Sequence, residues 1–262
     1  MLYSAVAVVA ATMLVFGLSR VQGDPRYFYM TGYATPEMFD AWGKEYGLDK
    51  PLYVQYGIWL SKAARGDFGQ SLRAGQPAFD VIVQRIPATL QLALAAWTFA
   101  LIVGVPLGIL SAVKRGSPWD YVGRTFAIFG QALPPFWIGI MLILIFSVRL
   151  GWLPTGTRGG IDHYILPAVT LGWLPCAGNV RLVRSAMLQV LDSEYIKFAR
   201  SKGVSETVIV WKHALRNAII PPLTFAGLTL AGFLAGAVVT ETVFAWPGMG
   251  RLAVDAVMQN DF

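Results

Sequence analysis

Charge is scarce in this chain. Only 14% of its 262 residues are Asp, Glu, Lys or Arg, whereas 55% are hydrophobic and the mean hydropathy is +0.54. A soluble domain carries about a quarter charged residues, so the composition excludes one and points to a membrane protein. Cysteine is nearly absent: Cys176 stands alone in an apolar run, which excludes a disulfide framework and a metal cluster and reads as a small buried hydrophobe. The two histidines, His163 and His213, lie far apart and on opposite sides of the membrane in the topology below. Neither a metal pair nor a nucleophile–base pair is therefore expected. Neither a GxxxxGKS or GxxxxGKT pattern nor a Gly-x-Gly-x-x-Gly after a strand occurs, so any energy source belongs on another chain. Acids are outnumbered, giving a net charge of +6, but the basic residues are spread over loops rather than gathered with aromatics in one groove. Anionic lipid and the positive-inside rule account for them, and nucleic acid is not an expected partner.

Long apolar runs organise the rest. Leu2 to Leu18 lacks both a basic start and a small-residue cleavage site before Arg20, so it reads as a membrane anchor near the lower length limit rather than a signal peptide. A natural start is expected to place basic residues ahead of it. The region 20–86 is polar, punctuated by Gly and Pro, and too rich in aromatics (Tyr27, Phe28, Tyr29, Phe39, Trp42, Tyr46, Tyr53, Tyr56, Trp59) for a disordered tail. It reads as a folded extramembrane region whose aromatics serve packing and an interfacial belt. Within it, Pro51 to Ala64 has the pattern of an interfacial amphipathic helix.

Further spans are expected at Thr89 to Val113, at Phe126 to Val148 with breaks at Gly130 and Pro134-Pro135, at Ile165 to Val190 with breaks at Gly172, Pro175 and Gly178, and at Ile219 to Val239. The fold class is all-α, a polytopic helical bundle with five visible spans. Ala256 to Phe262 resembles the approach to a sixth. Basic residues concentrate in the Lys114 to Arg124 loop, where Asp120 is the only acid, and between Arg181 and Arg216. The Arg149 to His163 turn and the Glu241 to Phe262 tail hold only Arg149, Arg158 and Arg251. Positive-inside therefore places the basic segments in the cytoplasm and region 20–86 outside.

One charged, amphipathic island, 191–222, interrupts the apolar spans. It reads as two short helices about Gly203. Asp192 is placed to cap the first, Glu194 falls in its opening turn, and Arg200 and Lys202 in its last, as the helix dipole favours. Ser205 is placed to cap the second, followed by Glu206. Tyr195, Phe198, Ala199 and Lys202 recur at helical spacing, as do Val208, Trp211 and Leu215, so each helix carries an apolar stripe beside a basic face. By composition alone, an interfacial helix on anionic lipid would account for it.

The run EYIKFARSKGVSETVIVWKHALRNAIIPPLT, Glu194 to Thr224, resembles the cytoplasmic EAA loop of ATP-binding-cassette importer permeases, and within them the dipeptide and oligopeptide permease family. Matches in order along the chain are GDP at Gly23, GDFGQSL at Gly66, RIPATLQLA at Arg85, GVPLGIL at Gly104, RLGWLPTG at Arg149 and ETVFAWPGMGRL at Glu241. Lys197-Phe198-Ala199 replaces the motif's Glu-Ala-Ala, and Pro221 closes it later than usual, so contacts of the motif's glutamate do not transfer.

The resemblance implies a single permease domain, 1–262, in the cytoplasmic (inner) membrane, forming half of a translocation pathway. Its implied partners are a second permease chain, two ATPase chains holding ATP and Mg, and an extracytoplasmic binding protein; no cofactor is expected on this chain itself. Coupling to the ATPase is implied for Glu194, Tyr195, Phe198, Ala199, Arg200, Lys202, Gly203, Ser205, His213 and Arg216. Candidate pathway positions are Gly130, Pro134, Pro135, Gly172 and Pro175, where broken helices would expose backbone, and Glu241, for which a solvated interfacial place is the equal alternative. Peptide is the implied cargo, with nickel, glutathione or oligosaccharide as alternatives within the same permease type. A membrane enzyme using Glu241 or His163, and an ATP-independent channel or scaffold, are the competing classes.

Overall fold

The computed structural model describes residues 2–21, 35–45, 47–71, 73–259 and 261. The Gly23 to Pro25 match and the aromatics Tyr27, Phe28, Tyr29 and Tyr46 lie outside these residues. The chain divides into two compact units, Met1–Gln84 with Ala253–Phe262, and Arg85–Leu252.

In the first unit, α1 (Leu2–Val21) has no acid in its first turn and carries Arg20 in its last. Its large side chains, among them Val6, Leu14, Val15 and Leu18, are exposed, a pattern that suits a hydrocarbon solvent. After α2 (Pro36–Glu45) comes α3 (Leu52–Ala63), the helix expected over Pro51 to Ala64. Tyr56 of α3 donates its hydroxyl to the Val9 carbonyl at 3.3 Å, and its ring lies 5.5 Å from Phe16 and 6.1 Å from Trp59. These aromatics are therefore spent on packing α3 against α1. A short antiparallel hairpin, β1 (Gln70–Ser71) and β2 (Gln76–Pro77), completes this part.

Helix α4 (Ala78–Val113) begins well before the expected Thr89, because helix needs no apolar composition and Pro87 is accommodated inside it. A Ser117-Pro118 start opens α5 (Pro118–Ala132), which ends at Leu133 and Pro134 in extended conformation. Next, α6 (Pro135–Leu142) continues as a π-helical stretch, Ile143–Arg149. The two halves meet at 107°, so the Pro134-Pro135 break is a sharp corner. Proline disfavours the α region for its predecessor and donates no backbone N–H, and two in succession stop α5.

The expected interruption at Gly172, Pro175 and Gly178 does not occur: α7 (Asp162–Leu191) is continuous. Gly172 is instead a close-packing position, where a Cβ would lie 2.5 Å from the Ala96 carbonyl oxygen of α4. Gly130 likewise belongs to the body of α5, where a Cβ would come 2.5 Å from Ala177 Cβ. Small residues here let backbones approach, as in membrane helix pairs.

The island follows as α8 (Glu194–Ser201), then α9 (Glu206–Val208), which passes through a π-helical stretch (Ile209–Ala214) into α10 (Leu215–Ala218). The chain returns in α11 (Ile220–Gly236), turns through α12 (Val238–Val243) and ends in α13 (Met249–Met258). Among the described residues, α4 alone is long and apolar enough to cross a bilayer by itself, and α5 with α6 and its extension passes only as a bent pair. Val6–Arg20 and Ile220–Phe233 are shorter apolar helices. Long α7 carries Arg181 and Arg184 in its second half.

Candidate functional site

The island is seated on the second unit by its apolar underside. Ile196 of α8 is wholly buried, and Ile209, Val210, Ala214 and Ala218 join it in one cluster with Ile109 and Ala112 of α4 and Val183, Met187 and Leu191 of α7. The expected stripe divides: Leu215 is half-buried and packs against this cluster, whereas Val208 and Trp211 are exposed. Ile209 and Val210 face in instead, with Ala214 and Ala218 continuing the buried line at helical spacing. On α8 the same holds: Tyr195 and Phe198 are exposed, Ala199 is half-buried, and the anchor is Ile196, which the Tyr195/Phe198 spacing overlooked.

Capping also differs from expectation. Asp192 ends α7, and Ser193 takes the N-cap position of α8 without a side-chain cap bond, since its hydroxyl donates to the Val190 carbonyl at 2.5 Å. Ser205 stands at the start of α9, also without a side-chain cap. Gly203 is where expected, at φ +75 with nothing near its missing side chain, so the turn needs glycine for its backbone and not for space.

Charges within the island pair with one another. Lys197 Nζ lies 2.8 Å from Glu194 Oε1, and Arg200 donates to both carboxylate oxygens of Glu206 at 2.7 and 3.2 Å. The Arg200 guanidinium holds the Glu206 carboxyl below its ordinary value, and the pair bridges α8 to α9 across the Gly203 turn. The Lys202 ammonium sits 4.4 Å over the Phe198 ring. Asn217 donates to the Tyr195 hydroxyl at 2.9 Å, and that hydroxyl lies 3.5 Å from the His213 carbonyl. Glu194, Tyr195, Phe198, Ala199, Arg200, Lys202, Gly203, Ser205, His213 and Arg216 thus share one element pair. Outward it offers Phe198 at 61% exposure and Trp211 at 58% beside Lys197, Lys202 and Arg216. Large exposed aromatics on a polar helix pair seated by its apolar underside are the kind of surface that suits a protein partner.

The pathway candidates separate. Pro134 and Pro135 are exposed at the corner, whereas Gly130, Gly172 and Pro175 are buried in helix packing. Glu241 is neither solvated nor open to a path: it is wholly buried in α12. Its Oε1 accepts the Thr89 hydroxyl at 2.7 Å and its Oε2 the Arg251 backbone N–H at 2.9 Å, while Met249 N–H donates to Thr89 Oγ1 at 2.8 Å. A Cβ on Gly248 would overlap the carboxylate. Trp246, also buried, donates its indole N–H to the Ala88 carbonyl at 2.9 Å, with Tyr164 edge-on at 4.7 Å. The ETVFAWPGMGRL run is a clasp that fastens the loop after α12 to α4. His163 is likewise occupied, with Nδ1 2.9 Å from the Gly156 carbonyl oxygen. Among the described residues, no group of three or more His, Cys, Asp or Glu could hold a metal.

A second buried carboxylate, Asp120, lies outside the positions singled out from sequence. Asp120 of α5, fully buried, receives Arg124 at 3.2 and 2.8 Å and Arg184 of α7 at 2.7 and 3.1 Å, with Ser111 and the Gly116 N–H also donating. Its isolation as the one acid in a basic loop was the available signal.

Residues 104–262 match the family described as binding-protein-dependent transport system inner membrane component. The chain is 42% identical over 264 residues to the oligopeptide transport system permease protein AppB of Bacillus subtilis, a match covering 96% of this chain and 83% of that protein. It is 40% identical to the di/tripeptide transport system permease protein DppB of Pseudomonas aeruginosa, over 96% of this chain and 84% of that protein. It is also 40% identical to the glutathione transport system permease protein GsiC of Escherichia coli K12, over 97% of this chain and 83% of that protein. Among solved structures, an inward-facing form of the MetNI methionine ABC transporter aligns with a TM-score of 0.55 at 21% identity, covering 67% of this chain and 80% of that one. At that identity the likeness establishes the fold alone.

Proposed function

This chain belongs to the binding-protein-dependent transport system inner membrane components, and on that premise we propose that it is the permease subunit of an ATP-driven importer of short peptides. It is not itself an enzyme; ATP and Mg belong to ATPase subunits. A second permease chain completes the pathway, two ATPase chains dock on the cytoplasmic side, and a binding protein delivers cargo from outside. The five apolar segments cross the membrane, region 20–86 lies outside, and island 191–222 lies in the cytoplasm. Short peptides as cargo include glutathione, itself a tripeptide, which accommodates all three relatives' names.

One observation carries the reading: a short helix pair is clamped to the bundle through Ile196 and Ile209 while Tyr195, Phe198 and Trp211 face away from it. Such an element passes a rigid-body push from a partner into α4 and α7. The corner at Pro134-Pro135, with its exposed backbone, is the remaining candidate for a pathway lining.

The test is substrate-stimulated ATPase activity of the assembled transporter. Gly203→Pro forces φ to about −65° where the turn needs a positive angle, and it should abolish stimulation and import while basal hydrolysis persists. Phe198→Ala alters an exposed ring and leaves the fold intact, so it should reduce stimulation without lowering the melting temperature. Unchanged stimulation in both variants would refute the coupling role.

A further inference from the structure

Between α5 and α7 lies a cavity of about 730 Å³, lined among others by Arg115, Arg124, Arg181, Arg184, Gln131 and Gln189. Its charge does not cancel. Asp120 beneath it serves both Arg124 and Arg184, and Asp192 serves Arg115 at 3.6 Å. Arg181 is exposed and has no acidic partner among the described residues. Four guanidinium groups thus meet two carboxylates, and the cavity is left with room for an anion.

What flanks the cavity identifies the kind of anion. Along α5, Trp119 and Tyr121 are exposed at 55% and 61% near the helix start, and Ile128 and Phe129 are exposed at 69% and 60% farther along. Interfacial aromatics followed by bare aliphatic and aromatic surface mark headgroup depth and then the acyl region. A free anion needs the arginines only; a phospholipid uses both. We propose that this cavity binds the phosphate of an anionic glycerophospholipid from the cytoplasmic leaflet, with Arg181 as its principal ligand, Arg124 and Arg115 flanking it, and the acyl chains lying on Ile128 and Phe129. Basic pockets between helices at the cytoplasmic side are suited to such headgroups. The inference rests on the membrane placement proposed above, but not on the identity of the cargo.

Native mass spectrometry of the assembled transporter, released from bilayers of phosphatidylcholine with phosphatidylglycerol, measures the retained lipid. The wild type should retain phosphatidylglycerol selectively. Arg181→Gln should weaken that retention by about fivefold, the worth of one basic residue near an anionic surface. Lys114→Gln, in the α4–α5 turn beside Arg115 but outside the cavity lining, should leave it unchanged. Equal melting temperatures in phosphatidylcholine alone will show that Arg181→Gln folds normally. An equal loss in both variants would reduce the effect to general surface charge, and displacement of the lipid by inorganic phosphate would make the ligand a soluble anion. No selectivity in the assembled transporter would mean that a protein partner covers the cavity. Any of these three results overturns the proposal. Because retention reads lipid and not hydrolysis or import, a failed transport assay leaves the result standing.

Discussion

Asp120 is a carboxylate whose value lies in what it holds. It keeps Arg184 of α7 and Arg124 of its own helix in fixed places, and with Ser111 and Gly116 it ties the α4–α5 turn to α7. Asp120→Asn keeps the shape and removes the charge, leaving two guanidinium groups without a counter-ion. It should destabilise the protein by about 2 kcal/mol, less than for a sealed pair because Arg124 is half-exposed, as followed by thermal unfolding in detergent. Glu206 gives a pH dependence of definite sign. Its folded carboxyl is held below its ordinary value by Arg200, so its contribution is complete above the unfolded value and is lost as pH falls through the folded one. The protection of amides across α8 and α9, taken relative to the intrinsic exchange rate at each pH, should therefore be steady near neutral pH and fall only below the ordinary glutamate range, about pH 4. In Glu206→Gln that acid loss of protection should vanish.

Among elements, the clasp after α12 shows how one hydroxyl serves two ends of the chain. Thr89 gives its hydrogen to Glu241 and accepts from the Met249 N–H, so a single side chain closes α4 onto the loop leading to α13. Thr89→Val keeps the volume but strands a buried carboxylate oxygen and a backbone donor, and should cost about 2–3 kcal/mol in thermal unfolding. Ser in the same place should restore most of it. The island is a different kind of element, held by apolar contacts beneath and by the Arg200–Glu206 bridge above. Ile209 and Val210 lie against the bundle while Trp211, within the same π-helical stretch, is exposed.

For the molecule as a whole, orientation is the property that the proposed function depends on most. Single cysteines introduced at Lys197 in the island and at Arg158 in the turn before α7 should react from opposite sides in sealed right-side-out vesicles, after Cys176, which is buried, is replaced by Ala. A membrane-impermeant maleimide should label the Arg158 variant at once and the Lys197 variant only after the vesicles are opened. Labelling of both without opening would reverse or break the topology, and with it the docking of an ATPase on the island.

Much was legible from sequence because it rests on local chemistry and composition. The scarcity of charge fixed a membrane solvent, Gly203 required a left-handed turn, Pro134-Pro135 required a helix to stop, and the ordered motifs marked a permease. What the sequence left open depends on neighbours far along the chain. Gly172 and Gly130 looked like breaks because glycine weakens an isolated helix, but α7 and α5 use them where backbones and side chains touch. Glu241 looked like a pathway group because an acid within the membrane is costly, but Thr89, 152 residues away, satisfies it. Ile196 and Ile209 had no pattern to distinguish them from Phe198 and Trp211; only the surfaces of α4 and α7 decide which apolar face is buried and which stays exposed.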